Sequence, residues 1–258
     1  MEHNEQHLLN QVYFKPQAGQ LPQDRQALSQ TLMGLYKAGK LSLDIVLLLL
    51  RFSKLILNPD DISPIFKGGS FRNHKSFQVA LRSLHADPAT AELIRSRYLA
   101  PAPYDLNQML TLPENSLGHV YARHMQNYKL DVVFYPPLED NQDDDIAYLR
   151  KRARQTHDIH HVVLGFPAID SGEMAISAFY LSQNNIPLSA LLIGFGFLTA
   201  ILRSPERIEE LMDAIMLGWR RGKECPVFLG LKWEDYFALP IDQVRSTLNL
   251  PIQPKWIR

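Results

Sequence analysis

The sequence predicts an all-α protein, and three observations predict it. Apolar residues recur at spacings of three and four along most of the chain, the signature of helices with one buried face. No stretch shows the strict alternation of a half-buried strand. Apolar residues also fill 46 % of the 258 positions, enough for a large core and too many for a disordered chain. The length suits one large helical domain or two small ones.

The elements follow in order. Residues 1–30 are polar, with Glu2, Glu5 and several glutamines, and have the form of neither a secretory signal nor an arginine-rich transit peptide. They read as a partly ordered extension of a protein that works where it is made, in the cytoplasm. Residues 28–36 read as a helix broken near Gly39. Residues 43–57 read as a second, with Arg51 and Lys54 on its polar side, ended by Asn58-Pro59-Asp60-Asp61. Two short helices, over 76–84 and 89–97, flank Asp87-Pro88. Ala100-Pro101-Ala102-Pro103 reads as an extended connector, and the segment from Leu112 to His119 as a turn leading into a helix over 120–127. Residues 131–144, with Pro136-Pro137 and an acidic run, read as an exposed loop.

Residues 144–161 carry Ile146, Leu149, Ala153 and His157 at helical spacing and read as one helix, stopped by Gly165-Phe166-Pro167. Another helix covers 170–183. Residues 186–202 hold 17 positions without a charge. Their first reading is a buried core helix, with Gly194 and Gly196 suited to tight packing. An interfacial helix comes second and a membrane span last. Ser204-Pro205 has the form of a helix start, a cap followed by proline. Ile208, Leu211, Met212, Ile215 and Trp219 then make a stripe that reads as core, with Gly222 ending the helix.

Lysine plus arginine equal aspartate plus glutamate at 27 each, which argues against a nucleic-acid partner. The one cysteine, Cys225, cannot form an internal disulfide and is assigned a structural role or none.

The chemistry lies in His157-Asp158-Ile159-His160-His161 and Glu173. Positions four apart share a helix face, so His157 and His161 point the same way, with Asp158 on the flank. Glu173 belongs to the next helix, and the short turn between can bring it back against the first. Two imidazoles and two carboxylates between packed helices form a site for a divalent metal ion. Zinc suits the mixed donor set best by affinity order, iron and manganese also fit, and magnesium fits less well. Plainer readings stand beside this one. The histidine spacing can be incidental, Asp170 and Glu173 can form a capping box, and Asp158 can pair with Arg154. Arg150 and Arg154 share a ridge with Asp158 and His161 and could bind an anionic head group. The competing reading, ranked first, makes Arg150, Lys151, Arg152 and Arg154 a solvated face.

With these residues in view, the chain resembles the coenzyme Q biosynthesis protein four family. The likeness rests on the signature His-Asp-x-x-His, eleven residues, then Glu, met by His157, Asp158, His161 and Glu173. It extends to Leu112-Pro113-Glu114-Asn115-Ser116-Leu117-Gly118, Tyr121, Ile146-Ala147-Tyr148 and Leu164-Gly165-Phe166-Pro167. Trp219, Gly222, Trp233-Glu234 and Val244-Arg245 match in order and spacing. It covers roughly residues 25–250 and points to a bacterial-type member. The resemblance implies a single-domain helical bundle with a helix-lined apolar cavity, residues 1–24 being an extension and 25–258 the metal- and prenyl-lipid-binding domain. It implies an isoprenoid tail in that cavity, with residues 186–202 and 43–57 suited to line it. It further implies peripheral attachment to a membrane surface, self-association as a dimer or more, and contact with other quinone-biosynthesis enzymes. The implied chemistry is loss of a ring carboxylate coupled to hydroxylation of that carbon. The alternatives are a non-catalytic lipid-binding scaffold and, last, a phosphohydrolase. His119, His124 and Asp213 are available to complete the latter, but no spacing selects them.

Overall fold

In the computed structural model the described residues are 21–40, 50, 75–101, 103–132 and 144–257. The helix expected over 43–57 (Leu50 apart), its terminal turn, the first twenty residues and the centre of the acidic loop lie outside them. The fold is all-α. Among the described residues there is no strand, only an isolated bridge between Ser116 and Pro240.

The chain divides into two compact units, Met1–Phe71 and Arg72–Arg258. The first contains α1 (Leu21–Lys37), which starts upstream of the expected helix and ends before Gly39, at φ +68°. The second contains α2 (Lys75–Ala86), α3 (Pro88–Ser96), α4 (Leu106–Leu110), α5 (Leu117–Asn127), α6 (Asp145–Leu164), α7 (Asp170–Asn184), α8 (Pro187–Arg203), α9 (Ile208–Glu224) and α10 (Ile241–Thr247).

Short polar side chains start these helices by taking up amide groups that have no partner inside the helix. Asp87 accepts from the Thr90 amide at 2.8 Å, Ser116 caps α5 and Asp144 accepts from the Ala147 amide at 2.9 Å. The segment before α5 also docks by its backbone. The Leu117 and Gly118 amides donate to the carbonyls of Leu239 and Phe237, each at 2.9 Å, and the Ile241 amide donates to Asn115 O at 2.8 Å.

The core of this unit lies between α5, α6, α7 and α9. Leu117, Ala122, Ile159, Val163, Ala175, Phe179, Ala214 and Trp233 are fully buried in it. α7 and α9 approach until backbone meets backbone, because α9 turns Gly218 and Gly222 toward α7. A Cβ at Gly218 would lie 1.9 Å from Ala175 O, and one at Gly222 1.9 Å from Ser182 Oγ. Gly222 therefore does not end α9, which continues to Glu224.

Three expectations about this region are corrected. Residues 187–203 form a helix, but not a buried one. Ile193, Phe197 and Ala200 pack on Met174 and Leu211, whereas Leu198, Ile201 and Leu202 face out, the last 63 % exposed. The stripe on α9 is only partly core. Leu211 is buried, while Met212 and Trp219 are exposed, because the glycine edge takes the inner face. Ser204 makes no side-chain cap, and Pro205–Arg207 is a 3-10 turn leading into α9.

A further correction concerns Arg152, which is fully buried rather than on a solvated face. It donates to Glu234 Oε1 at 3.1 Å, Leu231 O at 2.7 Å and Gln155 Oε1 at 2.8 Å. Tyr104 also donates to Glu234. Burial alone would raise the Glu234 carboxyl, but Arg152 and Tyr104 hold it below the usual range. Cys225 is half-buried, and burial pushes its thiol up to about 12, in keeping with a structural residue.

The glycine contact sets a test. Gly218→Ala must part α7 from α9 and should cost about 1–3 kcal/mol in urea unfolding. Gly194→Ala, where nothing lies within 4 Å of the new methyl, should be neutral or stabilising by up to about 1 kcal/mol. Equal midpoints for the two variants would contradict the packing described.

Candidate metal centre

α6 supplies two imidazoles one turn apart, their ring centroids 4.8 Å from each other. α6 ends at Gly165, whose φ of +69° is open to glycine and costly for other residues. A side chain there would also strike Pro254. The next turn is equally tight, for a Cβ at Gly172 would lie 1.8 Å from Pro167 O. These two glycines let α7 begin beside the end of α6, and Glu173 faces the histidines.

His157 Nε2 lies 3.5 Å from Glu173 Oε2, and His161 Nε2 3.1 Å from Glu173 Oε1. One donor atom from each of the three residues falls within 4.8 Å of the other two. The outer nitrogens are tied back. His161 Nδ1 lies 3.2 Å from Phe166 O, to which it donates, and His157 Nδ1 lies 3.3 Å from Asp158 Oδ1. A backbone carbonyl accepts only from an N–H, so the lone pair of His161 must lie on Nε2, toward Glu173. This is how proteins orient histidine ligands. His161 Nε2 is also fully buried, and close as it is to Glu173 it lacks the alignment of a hydrogen bond. A buried nitrogen 3.1 Å from a carboxylate oxygen but out of line for a hydrogen bond fits a cation held by both. The chemistry and the spacing of the donors thus suit a metal ion.

Charge supports the same view. Burial alone would lower His157, but the carboxylates of Glu173 and Asp158 outweigh it and hold the imidazolium up to about 10. What burial the half-exposed Glu173 side chain has would raise it, yet His161 and His157 keep its carboxyl far below the usual range. Without a metal, a proton supplies the positive charge that this pocket demands.

The expected residues divide as follows. His157, His161 and Glu173 converge. Asp158 stands on the flank at His157 Nδ1, outside that trio. The capping-box reading is corrected: Ile169 occupies the cap position of α7, and Asp170 pairs with Arg207 at 3.0 Å. Arg150 and Arg154 are half-buried on α6. His119 Nδ1 contacts Leu112 O at 3.2 Å, and Asp213 is exposed on α9.

Two histidines gain a place that spacing did not select. His160 points into the core against Phe228 and Trp233, its Nδ1 2.5 Å from the Tyr180 hydroxyl. Burial, then the charges of His157 and Arg152, hold it well below its usual range. His124, from α5, lies nearly parallel to His161 with centroids 6.3 Å apart. Burial and His161 lower it to about 4. An open cleft of about 340 Å³ borders this pair, walled by Val120, Tyr128, Val162, Phe166, Pro167 and Trp256.

Residues 44–254 match the sequence profile of the family described as Coenzyme Q (ubiquinone) biosynthesis protein Coq4. The chain belongs to the Coq4 family. Among curated relatives, the mitochondrial ubiquinone biosynthesis protein COQ4 of Eremothecium gossypii is 28 % identical over 67 % of this chain and 53 % of its own length. The COQ4 homologue of Nematostella vectensis is 29 % identical, over 67 % of this chain and 84 % of its own. That of Rattus norvegicus is 27 % identical, over 67 % and 64 %. The chain therefore spans between half and two thirds of the fungal and rat proteins. A crystal structure from Nostoc punctiforme, assigned to ubiquinone biosynthesis, superposes with a TM-score of 0.69 at 32 % identity, over 78 % of this chain and 96 % of that one. The family positions noted in the sequence have structural work. Gly222 meets α7, Glu234 neutralises Arg152, and Arg245 donates to the carbonyls of Val163 and Val162, each at 3.0 Å, at the end of α6.

Proton and metal compete for His157, and its imidazolium persists up to pH about 10. Zinc affinity should therefore strengthen about tenfold per unit between pH 6 and 8, with one proton released per ion. Competition titration against a chelator measures this, and a flat profile would refute it. His161→Ala should abolish binding, whereas Asp158→Ala should weaken it by roughly 10–100-fold, as for a group that orients a ligand.

Proposed function

We propose that this Coq4-family protein is a metal-dependent enzyme of ubiquinone or related prenylquinone biosynthesis. Its substrate is a prenylated aromatic acid, bound by its isoprenoid tail. The reaction exchanges a ring–carboxylate bond for a ring–oxygen bond. This is a two-electron oxidation that releases carbon dioxide: dioxygen gives one atom to the ring, and two electrons and two protons from a separate reductant take its other atom to water. One observation carries the proposal: His157, His161 and Glu173 converge, and His161 also borders a cleft with aromatic walls.

The three side chains would hold a divalent ion, zinc first and iron, manganese or magnesium otherwise, with Asp158 orienting His157 from the flank. The ion would supply a Lewis acid that polarises an oxygen of the head group. The residues fix the donors: Phe166 O and Asp158 set the two rings. Arg150 and Arg154, two turns and one turn before Asp158 on α6, would draw the anionic head toward that end of the helix.

The exposed apolar side chains of α8 and α9 support attachment to a membrane surface. Leu198, Ile201, Leu202, Met212, Met216 and Trp219 all face out, and an apolar surface of this kind marks a lipid or protein contact. Among the described residues no helix is long and apolar enough to cross a membrane. The same face would serve contact with other quinone-biosynthesis enzymes or a second copy of the chain. It also favours the second reading, a lipid-binding scaffold without catalysis.

Two experiments test these readings. His157→Ala and Glu173→Ala should lose the metal by elemental analysis, and conversion of a prenylated hydroxybenzoate, followed by mass spectrometry, should fall at least a hundredfold. Metal lost with conversion intact would defeat the metal-dependent reading, and no conversion by the metal-loaded wild-type chain would leave the scaffold. Separately, Ile201→Asp with Leu202→Asp should reduce sedimentation with phosphatidylcholine–phosphatidylglycerol vesicles at least tenfold, given about 1.5–3 kcal/mol for each large apolar side chain withdrawn from lipid.

A further inference from the structure

Past α10 the chain runs on without a further helix to the turn between α6 and α7. Three contacts fasten it there. Arg245, which holds carbonyls at the end of α6, also donates to Ile252 O at 3.1 Å. Pro254 fills the space that the missing side chain of Gly165 leaves. Trp256, half-buried, meets the Phe166 ring edge-on, with centroids 5.6 Å apart at an interplanar angle of 61°. Phe166 is thus gripped by two residues, for the Arg221 guanidinium also lies 5.3 Å from its ring centre.

Phe166 in turn orients His161. Its amide donates to His161 O at 3.0 Å, and its carbonyl accepts from His161 Nδ1 at 3.2 Å. Both the backbone and the ring of this histidine are therefore tied to one residue, and a chain of direct contacts runs from Trp256 through Phe166 to His161. Pro251, Ile252, Gln253 and Lys255 are exposed, so the segment is a strap laid on the surface rather than a piece of the core. A strap of this kind can lift at a small part of the cost of global unfolding.

We propose that Trp256 is a positioning residue of the metal centre: docked on Phe166, it steadies the carbonyl that orients His161, so that the C-terminal strap and the metal ion stabilise one another. The inference rests on the metal-centre reading. A group that orients a histidine ligand is worth about 10–100-fold in metal affinity. Trp256 acts one residue further out, so the lower end of that range applies. Linkage makes the effect reciprocal. A bound ion tightens the docking of the strap by the same factor by which the strap tightens the ion.

The test uses the full chain and zinc. By competition against a chelator, Trp256→Ala should bind zinc about tenfold more weakly. Trp256→Phe, which keeps an aromatic edge on Phe166, should recover most of the loss. Phe166→Leu should weaken zinc by a similar factor, and the double variant by no more than the larger single loss, because both changes break one chain of contacts. In the reverse direction, zinc should slow the release of Trp256 by carboxypeptidase Y, a serine enzyme that needs no metal. The slowing should be about tenfold in the wild-type chain and absent in His161→Ala. Equal zinc affinity of Trp256→Ala and the wild type overturns the inference. So do losses that add in full in the double variant, and release of Trp256 at one rate with and without zinc. Should Phe166→Leu fail to fold, the single Trp256 variants and the protease rates decide. A wild-type chain that takes up no zinc defeats the metal-centre reading and this inference with it. A chain that takes up zinc but shows none of the couplings defeats this inference alone.

Discussion

Helix α6 stops at Gly165, and the carbonyls it leaves behind are taken up by arginines from far along the chain. Arg245 donates to Val162 and Val163, and Arg221 donates to Leu164 while lying over the Phe166 ring. A helix end exposes acceptors that cost free energy when buried without partners. Here they are satisfied by cations, which also suit the negative end of the helix dipole. The arginines thereby lock the last turn of α6, the turn that carries His161. If this end frayed, the two imidazoles would lose their common direction and Glu173 would have nothing to meet.

The same turn explains why α7 arrives where it does. Gly165 reverses the chain, Phe166 accepts from His161 Nδ1, and Gly172 passes close under Pro167. α7 is then held from its other side by the glycine edge of α9. Glu173 is thus positioned by backbone contacts on both faces of its helix rather than by its own packing, and its carboxylate is left half exposed at the mouth of the site. A donor held by backbone and open to solvent on one side suits the proposed metal-binding role.

Much of the fold was legible because helices write themselves locally. Helical spacing, with Asp87-Pro88 and the Gly165–Pro167 stop, placed α3, α5, α6 and α7 to within a few residues. Three failures share one cause. Gly222, Met212 with Trp219, and residues 187–203 were each judged by composition along one helix. Which face is buried depends instead on the neighbour. α9 offers its glycine edge to α7, so part of its apolar stripe is left outside, and α8 covers only one side of α7. Arg152 was misread for the same reason, since no local pattern reveals that Glu234, 82 positions later, lies against it.

By itself, the sequence determined the helical class, the pairing of His157 with His161 on one face, and the membership that their spacing to Glu173 announces. The first two are consequences of a repeat of 3.6 residues per turn, and the third rests on the likeness of the signature to that of the family. Only the tertiary structure decided that Glu173 closes on the two imidazoles, that Asp158 stands at the outer nitrogen of His157, and that His124 from a separate helix lines a cleft with His161. Those facts require distances between segments far apart in the chain. They follow from how three helices pack around a single reversed turn, which periodicity along any one of them cannot encode.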